Sequence, residues 1–310
     1  MIELQRKLMG DRLRNEAFAH ALDAAIVPTE STVTDLGAGT GFLSALALQL
    51  GAKRAILYEA GEIAALCADF MKKNGLKDWM LIRRHSEEVK DPVRTDILVS
   101  ETLGNYAYEE HIVEIFRDAK RFVKPGGVII PSRVEQFVSP VVTSRLWEEI
   151  NVWDRIGYDL DFSAAKKLTL SNMYVKSVLP GELLGAGHDA RVWDTLTAED
   201  PGSSRRSGRA AWTVPETQTV YGFCLHWDAL LMPEIVLSTD PRGEATHWEQ
   251  IFLPLSEPLE VHAGESLHVE IKSDTRYEIG VRVQWTAERC DAAGQVLASC
   301  AMDMKDGWIG

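Results

Sequence analysis

The stretch VTDLGAGTG, residues 33–41, decides the fold of this chain of 310 residues. It overlaps a predicted strand at residues 31–36 and leads directly into a helical pattern. A glycine-rich turn between a strand and a helix is the usual nucleoside- or nucleotide-binding element of an α/β protein. The sequence therefore predicts a ligand site at Gly37, Gly39 and Gly41.

The residues around this turn argue against a phosphate ligand. Phe42 stands where the dinucleotide fingerprint requires a small residue, and no Gly-Lys-Ser/Thr of a phosphate loop follows. Asp35 would repel a phosphate but could face an ammonium group, and Glu59 is placed to accept both ribose hydroxyls. S-adenosylmethionine, an adenosine with a cationic amino-acid tail, fits this combination. A glycine turn without a ligand is the alternative.

Composition and charge exclude several classes of protein. The formal charge is -13, from 46 acidic and 33 basic residues, which argues against nucleic-acid binding and is compatible with a basic partner. No apolar run approaches membrane-spanning length, and the N-terminus is too charged for a signal peptide. The four cysteines are widely spaced without a CxxC pair, so we expect reduced thiols, a cytoplasmic location and no metal.

Before residue 131 the sequence alternates between strand-like and helix-like segments. This alternation predicts a parallel sheet wrapped by helices. The predicted elements are strands at 31–36, 54–59, 80–84, 95–100 and 128–131, helices at 41–50, 62–74 and 109–123, and a turn at 124–127.

After residue 131 the pattern becomes mostly alternating, with frequent turn signals, which predicts an antiparallel all-β region. Two segments interrupt it. Residues 153–175 look helical and amphipathic, and residues 198–208 form a polar loop. Exposed apolar side chains in the first segment, such as Tyr158 and Leu160, would be costly in a monomer, so we expect a two-fold dimer; a plain surface helix is the alternative.

Two acids follow the apolar run that ends at residue 100. Glu101 and Glu110 stand nine positions apart in SETLGNYAYEE, residues 100–110. Acids so close to a buried strand must be solvated, paired or waiting for a cation. A solvated helix N-terminus would explain Glu109 and Glu110 but not Glu101. Glu109 could also replace Glu110 as the second acid if the loop is shifted.

With the glycine turn, the paired acids and Thr246-His247-Trp248, the chain resembles the protein arginine methyltransferase family over nearly its whole length. The resemblance implies a Rossmann-like methyltransferase domain over residues 1–131 and a β-barrel over 132–310, with a helical dimerisation arm at about 153–175. It also implies S-adenosyl-L-methionine as cofactor, a homodimer, and methyl transfer to an arginine guanidino nitrogen of a protein or peptide.

The resemblance also implies a role for each matching residue. Glu101 and Glu110 match the double-glutamate loop that holds the guanidinium. Asp11 pairs with the loop histidine, His247, and Arg14 holds the cofactor carboxylate. The other implied or candidate positions are Glu87 at the adenine, and Trp248 and Asn105 in the substrate pocket.

Two departures from the family pattern bear on the cofactor and the substrate. The aromatic Tyr-Phe-x-x-Tyr helix that covers the cofactor is absent from the ten residues before Asp11, so we expect another element or a partner chain to exclude water. The usual Trp-Met-Gly-Tyr after the first glutamate is Thr102-Leu-Gly-Asn105. The alternatives are therefore methylation of free arginine or another small guanidino or amino compound, and a non-catalytic scaffold.

The chemistry of the site follows from the substrate group. A guanidinium is planar, stays protonated, and presents its donors in a fork that fits carboxylates. Glu101 and Glu110 would bind it and turn one nitrogen toward the methyl donor. Glu110 or the Asp11–His247 pair would take the proton. Because two acids share the pocket, we expect one of them to titrate well above an ordinary glutamate.

Overall fold

Five parallel strands form the sheet of the first domain in the computed structural model, which describes residues 2–307. The strands are β1 Thr32–Leu36, β2 Arg54–Tyr58, β3 Trp79–Ile82, β4 Thr95–Val99 and β5 Val123–Ile130. Their spatial order is β3-β2-β1-β4-β5. The order reverses between β1 and β4, and the crevice at the carboxyl ends of such strands is where open α/β sheets bind ligands.

Helices connect and cover these strands, as the alternation predicts. They are α1 Ile2–Gly10, α2 Arg12–Ala25, α3 Phe42–Gln49, α4 Ala64–Lys73 and α5 Ile112–Ala119. α2 begins at Asp11, whose side chain accepts the backbone N–H of Arg14 as an N-cap. α2 buries Phe18 and Leu22, whereas α1 buries none of its side chains.

The second domain is antiparallel and barrel-like, as expected. Its strands are β6 Arg133–Val141, β7 Tyr174–Lys176, β8 Arg191–Thr197, β9 Arg205–Thr213, β10 Gln218–Met232, β11 Ile235–Ser238, β12 Gln250–Val261, β13 Ser266–Asp274, β14 Arg282–Cys290 and β15 Val296–Asp303. One sheet has the order β7-β12-β10-β6-β8, with β11 on β10, and the other has the order β15-β14-β13-β9. Alternate side chains such as Leu267, Val269 and Ile271 are buried in the core, which explains the period-two pattern.

The prediction of one helix over residues 153–175 is wrong. Only Ser163–Leu170, helix α7, is α-helical there; a 3₁₀ turn covers Trp153–Arg155, and β7 pairs with β12. Gly157, Tyr158 and Asp159 have φ values of 77°, 62° and 52°. Three consecutive left-handed residues cannot continue a right-handed helix, so the segment folds as short pieces.

Three boundaries also differ from the predictions. The polar loop is shorter than residues 198–208, because β9 begins at Arg205. The turn predicted at 124–127 lies within β5, where pairing with β4 jumps from Val123 to Val128. The helix predicted at 109–123 is limited to α5, and α6 Arg145–Ile150 and α8 Met304–Gly307 are additional short helices. Within residues 2–307, no helix has the length and apolar character needed to cross a membrane.

Candidate active site

The glycine turn forms one wall of a cavity of about 290 Å³. Gly37, Gly39 and Gly41 have φ values of 73°, 55° and 81°, in the left-handed region that favours glycine. At Gly41 a side chain would also collide with α4, because its Cβ would lie 2.7 Å from the Cys67 sulfur. Both conformation and space therefore require glycine where α3 begins.

Glu59 is fixed at the end of β2 by two backbone donors. Its carboxylate accepts the N–H of Gly39 at 2.8 Å and the N–H of Gly61 at 2.6 Å. It lines both the first cavity and a second one of about 170 Å³. Both cavities are also lined by Gly37, Thr102 and Glu110. The two cavities therefore meet at Glu59, the residue predicted to bind the ribose.

Asp35 lies beneath the turn and lines the first cavity. Its side chain accepts the Ser44 hydroxyl at 2.7 Å, which joins the end of β1 to α3. Burial raises the pKa of Asp35 to about 6, although the hydrogen bonds from Ser44 act in the opposite direction. A cation entering the cavity would therefore favour the ionised form of this carboxyl group.

Arg14 and Glu101 form a buried ion pair at the edge of the first cavity. Nε and Nη2 of Arg14 both donate to Oε2 of Glu101, with Nε at 2.8 Å, and both side chains are only 5% exposed. The other Glu101 oxygen accepts the N–H of Leu103 at 3.3 Å. The first of the two predicted substrate acids is therefore held in one orientation by the arginine predicted to bind the cofactor.

Glu110 faces the same cavity without a partner. Among residues 2–307, no side chain or backbone group makes a hydrogen bond or an ion pair with its carboxylate. The side chain is exposed to solvent through the cavity, while the surrounding protein still desolvates the carboxylate on its other sides. Burial raises the pKa of Glu110 to about 8, and the nearby carboxylates of Glu101 and Glu109 act in the same direction. This is the raised glutamate expected of a pair of acids that lacks its cation.

Glu109 has a structural role instead. Its carboxylate accepts the N–H of Asn105 at 2.7 Å. Its side chain packs against Gly104, where an added Cβ would come within 2.0 Å of the Glu109 Cγ. Glu109 lines neither cavity. Of the two adjacent acids, Glu110 is therefore the one that shares a cavity with Glu101.

Asp11 and His247 form the predicted pair. Oδ2 of Asp11 lies 2.7 Å from the His247 Nδ1 and accepts the His247 backbone N–H at 2.9 Å. Burial alone would raise the pKa of Asp11, but the hydrogen bonds from His247 and Arg14 lower it to about 2. The ionised Asp11 therefore fixes the Nδ1–H tautomer of His247. Neither residue lines the two cavities, so the pair positions the site from outside.

Trp248 and Asn105, predicted to form the substrate pocket, lie between the domains instead. Trp248 is 2% exposed, and its Nε1 donates to the Leu103 carbonyl. The Asn105 amide donates to the Trp248 carbonyl. Neither residue lines the cavity of the paired acids. Both residues therefore stabilise the loop that carries Glu101 and Glu110.

Trp227 is a positioning residue that the sequence interpretation missed. Its Nε1 donates to the Gly104 carbonyl at 3.1 Å, and its ring meets the Trp248 ring edge to face at 4.9 Å. Trp227 lies within β10, so the second domain holds the acid-bearing loop through two indole N–H groups. The sequence offered one sign of this role, a tryptophan within the longest strand of the second domain.

Glu87 lies beside the second cavity, in the 3₁₀ turn Ser86–Glu88. Its side chain is half exposed, and its carboxylate lies 3.9 Å from the His85 Nδ1. His85 and Ser86 line the cavity, whereas Glu87 does not. The structure therefore brings the predicted segment to the cavity through its neighbouring residues, and the role of Glu87 at the adenine stays a prediction.

Another element, the non-aromatic helix α1, covers the glycine turn, which is one of the two possibilities expected from the sequence. α1 contributes Leu4, Gln5, Leu8 and Met9 to the wall of the first cavity. Gln5 is close enough that a Cβ on Gly39 would lie 3.4 Å from its side-chain oxygen. The helix contains no aromatic residue. Aliphatic side chains therefore cover the place where the family pattern led us to expect aromatic rings.

Comparison with known proteins agrees with this geometry. A family model described as the arginine methyltransferase oligomerization subdomain matches residues 133–288. The chain belongs to the protein arginine methyltransferase family. A second model, for ribosomal protein L11 methyltransferase, matches residues 18–154, which lie mostly in the first domain.

Several members of the protein arginine methyltransferase family are similar over most of this chain. Protein arginine N-methyltransferase 6 of Xenopus tropicalis is 27% identical over 274 residues, which cover 84% of this chain and 80% of that protein. Histone-arginine methyltransferase CARMER of Anopheles gambiae is 26% identical over 325 residues, which cover 98% of this chain and 51% of that protein.

Solved structures of the family share the fold. The Trypanosoma brucei PRMT1 enzyme-prozyme heterotetrameric complex with AdoHcy matches with a TM-score of 0.85 at 22% identity, over 97% of this chain and 98% of that one. An open conformation of Arabidopsis thaliana protein arginine methyltransferase 10 matches with a TM-score of 0.82 at 20% identity, over 98% of each chain. The predicted fold class and the predicted S-adenosylmethionine-dependent methyltransferase class are confirmed.

Three side chains that could bind a metal ion also lie close together, away from the paired acids. In the part of the chain that the structure describes, His268, Glu288 and Cys290 lie close enough together to share an ion. They belong to β13 and β14 of the second domain. The methyl-transfer chemistry considered below uses none of them.

Proposed function

We propose that this protein transfers the methyl group of S-adenosylmethionine to a guanidino nitrogen of arginine in a protein or peptide. The observation that carries the proposal is the shared cavity of Glu101 and Glu110. Arg14 neutralises Glu101, while no basic residue within 2–307 pairs with Glu110. Ionisation of Glu110 adds a negative charge that Arg14, the basic residue of the cavity lining, does not balance, and a guanidinium would match both the charge and the planar shape of a carboxylate pair.

The residues around the glycine turn fit the proposed cofactor. Arg14 would hold its carboxylate, Asp35 lies where its cationic tail would be neutralised, and Glu59 would bind the ribose hydroxyls. α1, which lines the first cavity, would exclude water from the bound cofactor. When bound, the cofactor supplies an electrophilic methyl group on a sulfonium.

The protein residues would mainly position the substrate. A guanidinium nitrogen is a poor nucleophile because its electrons are delocalised. Carboxylates that hold the positive charge away from one guanidinium nitrogen make that nitrogen a better nucleophile. Alignment of this nitrogen with the methyl group supplies much of the rate. Since Glu110 lines the cavity and His247 does not, Glu110 is the proposed proton acceptor.

The test is mass spectrometry of the products formed from an arginine-rich peptide and from free arginine. We expect methylated peptide from the wild type and a loss of about 100-fold or more in kcat for Glu101→Gln and Glu110→Gln. Glu109→Gln is the matched control, because it keeps an oxygen for the Asn105 N–H and lies outside the cavity; we expect nearly full activity.

Three results would replace this proposal. Methylation of free arginine but not of the peptide would favour the small-molecule substrate. S-adenosylhomocysteine binding without any product would favour a non-catalytic scaffold. Equal loss of activity in all three glutamine variants would remove the distinction between Glu110 and Glu109.

We also propose a homodimer formed through the segment that contains Tyr158 and Leu160. These side chains are 87% and 65% exposed, and the matching family model is named for oligomerisation. Light scattering should show a dimer that Tyr158→Asp combined with Leu160→Asp converts to a monomer. Val236→Asp, at an exposed apolar position of β11, is the control and should stay dimeric. A monomeric wild type would refute this interface.

The cytoplasmic location stays a prediction. All four cysteines are unpaired thiols in the structure, which supports a reducing compartment. The acidic composition supports the proposed basic protein or peptide as the substrate class and argues against nucleic acid.

A further inference from the structure

A histidine beside the paired acids has a buried ring nitrogen without a hydrogen-bond partner among the described residues. His111 directly follows Glu110 and lines the second cavity. Its Nδ1 is buried, and no described residue offers it a hydrogen bond. Buried polar atoms are nearly always paired, because a lone donor or acceptor keeps the full cost of leaving water. Because His111 lines a cavity, its unpaired nitrogen indicates that a bound ligand supplies the hydrogen bond.

The backbone of His111 is strained at the same point. Its φ of 63° and ψ of 29° place it in the left-handed region, immediately before α5 begins. Residues with side chains adopt this conformation uncommonly, and such strain concentrates at ligand-binding sites. The left-handed turn allows Glu110, which lines both cavities, and His111, which lines the second, to face the site as consecutive residues.

A tyrosine of the second domain holds the His111 ring. Tyr277 lies between β13 and β14 and also lines the second cavity. The two ring centroids are 4.1 Å apart, with an angle of 38° between the planes. Tyr277 also meets the His85 ring edge to face at 6.1 Å. These three rings come from two domains and meet at this cavity, which Tyr58 also lines.

The position of the cavity indicates which part of a cofactor would enter it. Glu59, the proposed ribose ligand, lies where the two cavities meet. Arg14 and Asp35, proposed to bind the amino-acid tail, line only the first. The nucleobase would therefore extend into the second cavity, among the three rings.

We infer that His111 binds the edge of the cofactor's purine ring and that Tyr277 positions the His111 side chain; this inference rests on the proposed function. A neutral imidazole has one donor and one acceptor nitrogen, and a purine edge offers both complements. Cofactor binding would then draw on both domains, because the histidine comes from the first and the tyrosine from the second.

The test is calorimetric binding of S-adenosylhomocysteine. His111→Phe keeps a ring but removes the nitrogens, and His111→Asn tolerates the left-handed conformation but removes the ring. We expect each to weaken binding by about tenfold, the effect of one lost buried hydrogen bond. Tyr277→Leu should weaken binding similarly, whereas Tyr277→Phe retains the ring contact and should bind nearly as the wild type does. His262→Phe, at an exposed turn, is the control.

A second ligand tests recognition of the base. S-inosylhomocysteine differs in the purine edge, since a carbonyl replaces the amino group. The wild type should bind it more weakly than S-adenosylhomocysteine, and His111→Phe should reduce that preference to nearly none. If the wild type binds neither compound, the proposed function fails. If the wild type binds S-adenosylhomocysteine and folded His111→Phe or His111→Asn binds it equally well, only the inference about His111 is overturned.

Discussion

One carboxylate, that of Asp11, joins the two domains by binding His247. Its Oδ2 accepts the backbone N–H of His247 and pairs with the ring Nδ1, while Oδ1 caps α2 through the Arg14 N–H. The helix that carries Arg14 is thereby tied to a loop of the second domain. The pair acts on the geometry of the cavity without lining it.

We expect Asp11→Asn to lower the free energy of unfolding by about 1–3 kcal/mol, because His247 loses its ionised partner while an N-cap oxygen remains. Urea unfolding of Asp11→Asn, His247→Gln and the double variant measures the coupling, for which we expect about 0.5–3 kcal/mol. Strictly additive effects would contradict the interaction across the domains.

Binding of an arginine peptide should depend on pH through Glu110. Its pKa is raised to about 8, so the carboxyl group is mostly protonated at neutral pH, and a guanidinium favours the ionised form. Affinity should therefore rise with pH up to about 8 and then level off, with proton release below that pH. Calorimetry in buffers of different ionisation enthalpy measures the proton release.

Glu110→Gln provides the control for this pH effect. It cannot ionise, so its residual binding should vary little between about pH 6 and pH 9, a range that includes the raised pKa of the wild type. A wild-type affinity that stays flat over the same range would show that Glu110 is already ionised in the free protein.

Trp227→Phe should weaken the hold of the second domain on the acid-bearing loop. The substitution keeps an aromatic ring but leaves the Gly104 carbonyl without its donor, which costs about 1–3 kcal/mol. Urea unfolding should show this loss, and kcat should fall because Glu101 and Glu110 lose their alignment. Binding of S-adenosylhomocysteine should change little. Full activity in a destabilised variant would limit Trp227 to a role in folding.

Removal of residues 2–10 should weaken cofactor binding without unfolding the protein. α1 buries none of its side chains, yet Leu4, Leu8 and Met9 cover the first cavity. We expect the Kd for S-adenosylhomocysteine to rise about tenfold. Arg6→Ala is the matched control, since Arg6 is exposed and pairs with Glu3 on the same helix. An unchanged Kd in the truncated protein would exclude α1 as a cover.

Local sequence signals predict the parallel sheet of the first domain and the proximity of Glu101 and Glu110. The glycine turn and the acid after β4 depend on short-range features, namely strand ends and left-handed backbone positions. The roles of Trp248 and Asn105 were not predictable in this way, because their contacts join segments more than a hundred residues apart. A general preference of aromatic residues for pockets cannot distinguish a cavity wall from a buried domain contact.

The failure over residues 153–175 has a different physical origin. Amphipathic spacing there is compatible with a helix, but Gly157, Tyr158 and Asp159 adopt left-handed conformations. The glycine and the aspartate, which tolerate this conformation, were the signals against a continuous helix. The cover over the glycine turn was expected from another element or a partner chain, but it was not assigned to α1. The α1 side chains in the cavity wall are mostly aliphatic, so a pattern of aromatic residues does not detect them.

Arg14 has a thermodynamic consequence because it contacts Glu101 and lies in the cofactor cavity. A guanidinium has more N–H groups than the pair with Glu101 and the contact with Asn15 use, so it can receive a further anion. That anion would compete with Glu101 for the positive charge of Arg14 and weaken their ion pair. Glu101 would then bind an incoming cation more strongly. We therefore expect positive cooperativity between the two ligands, equal in magnitude whichever binds first.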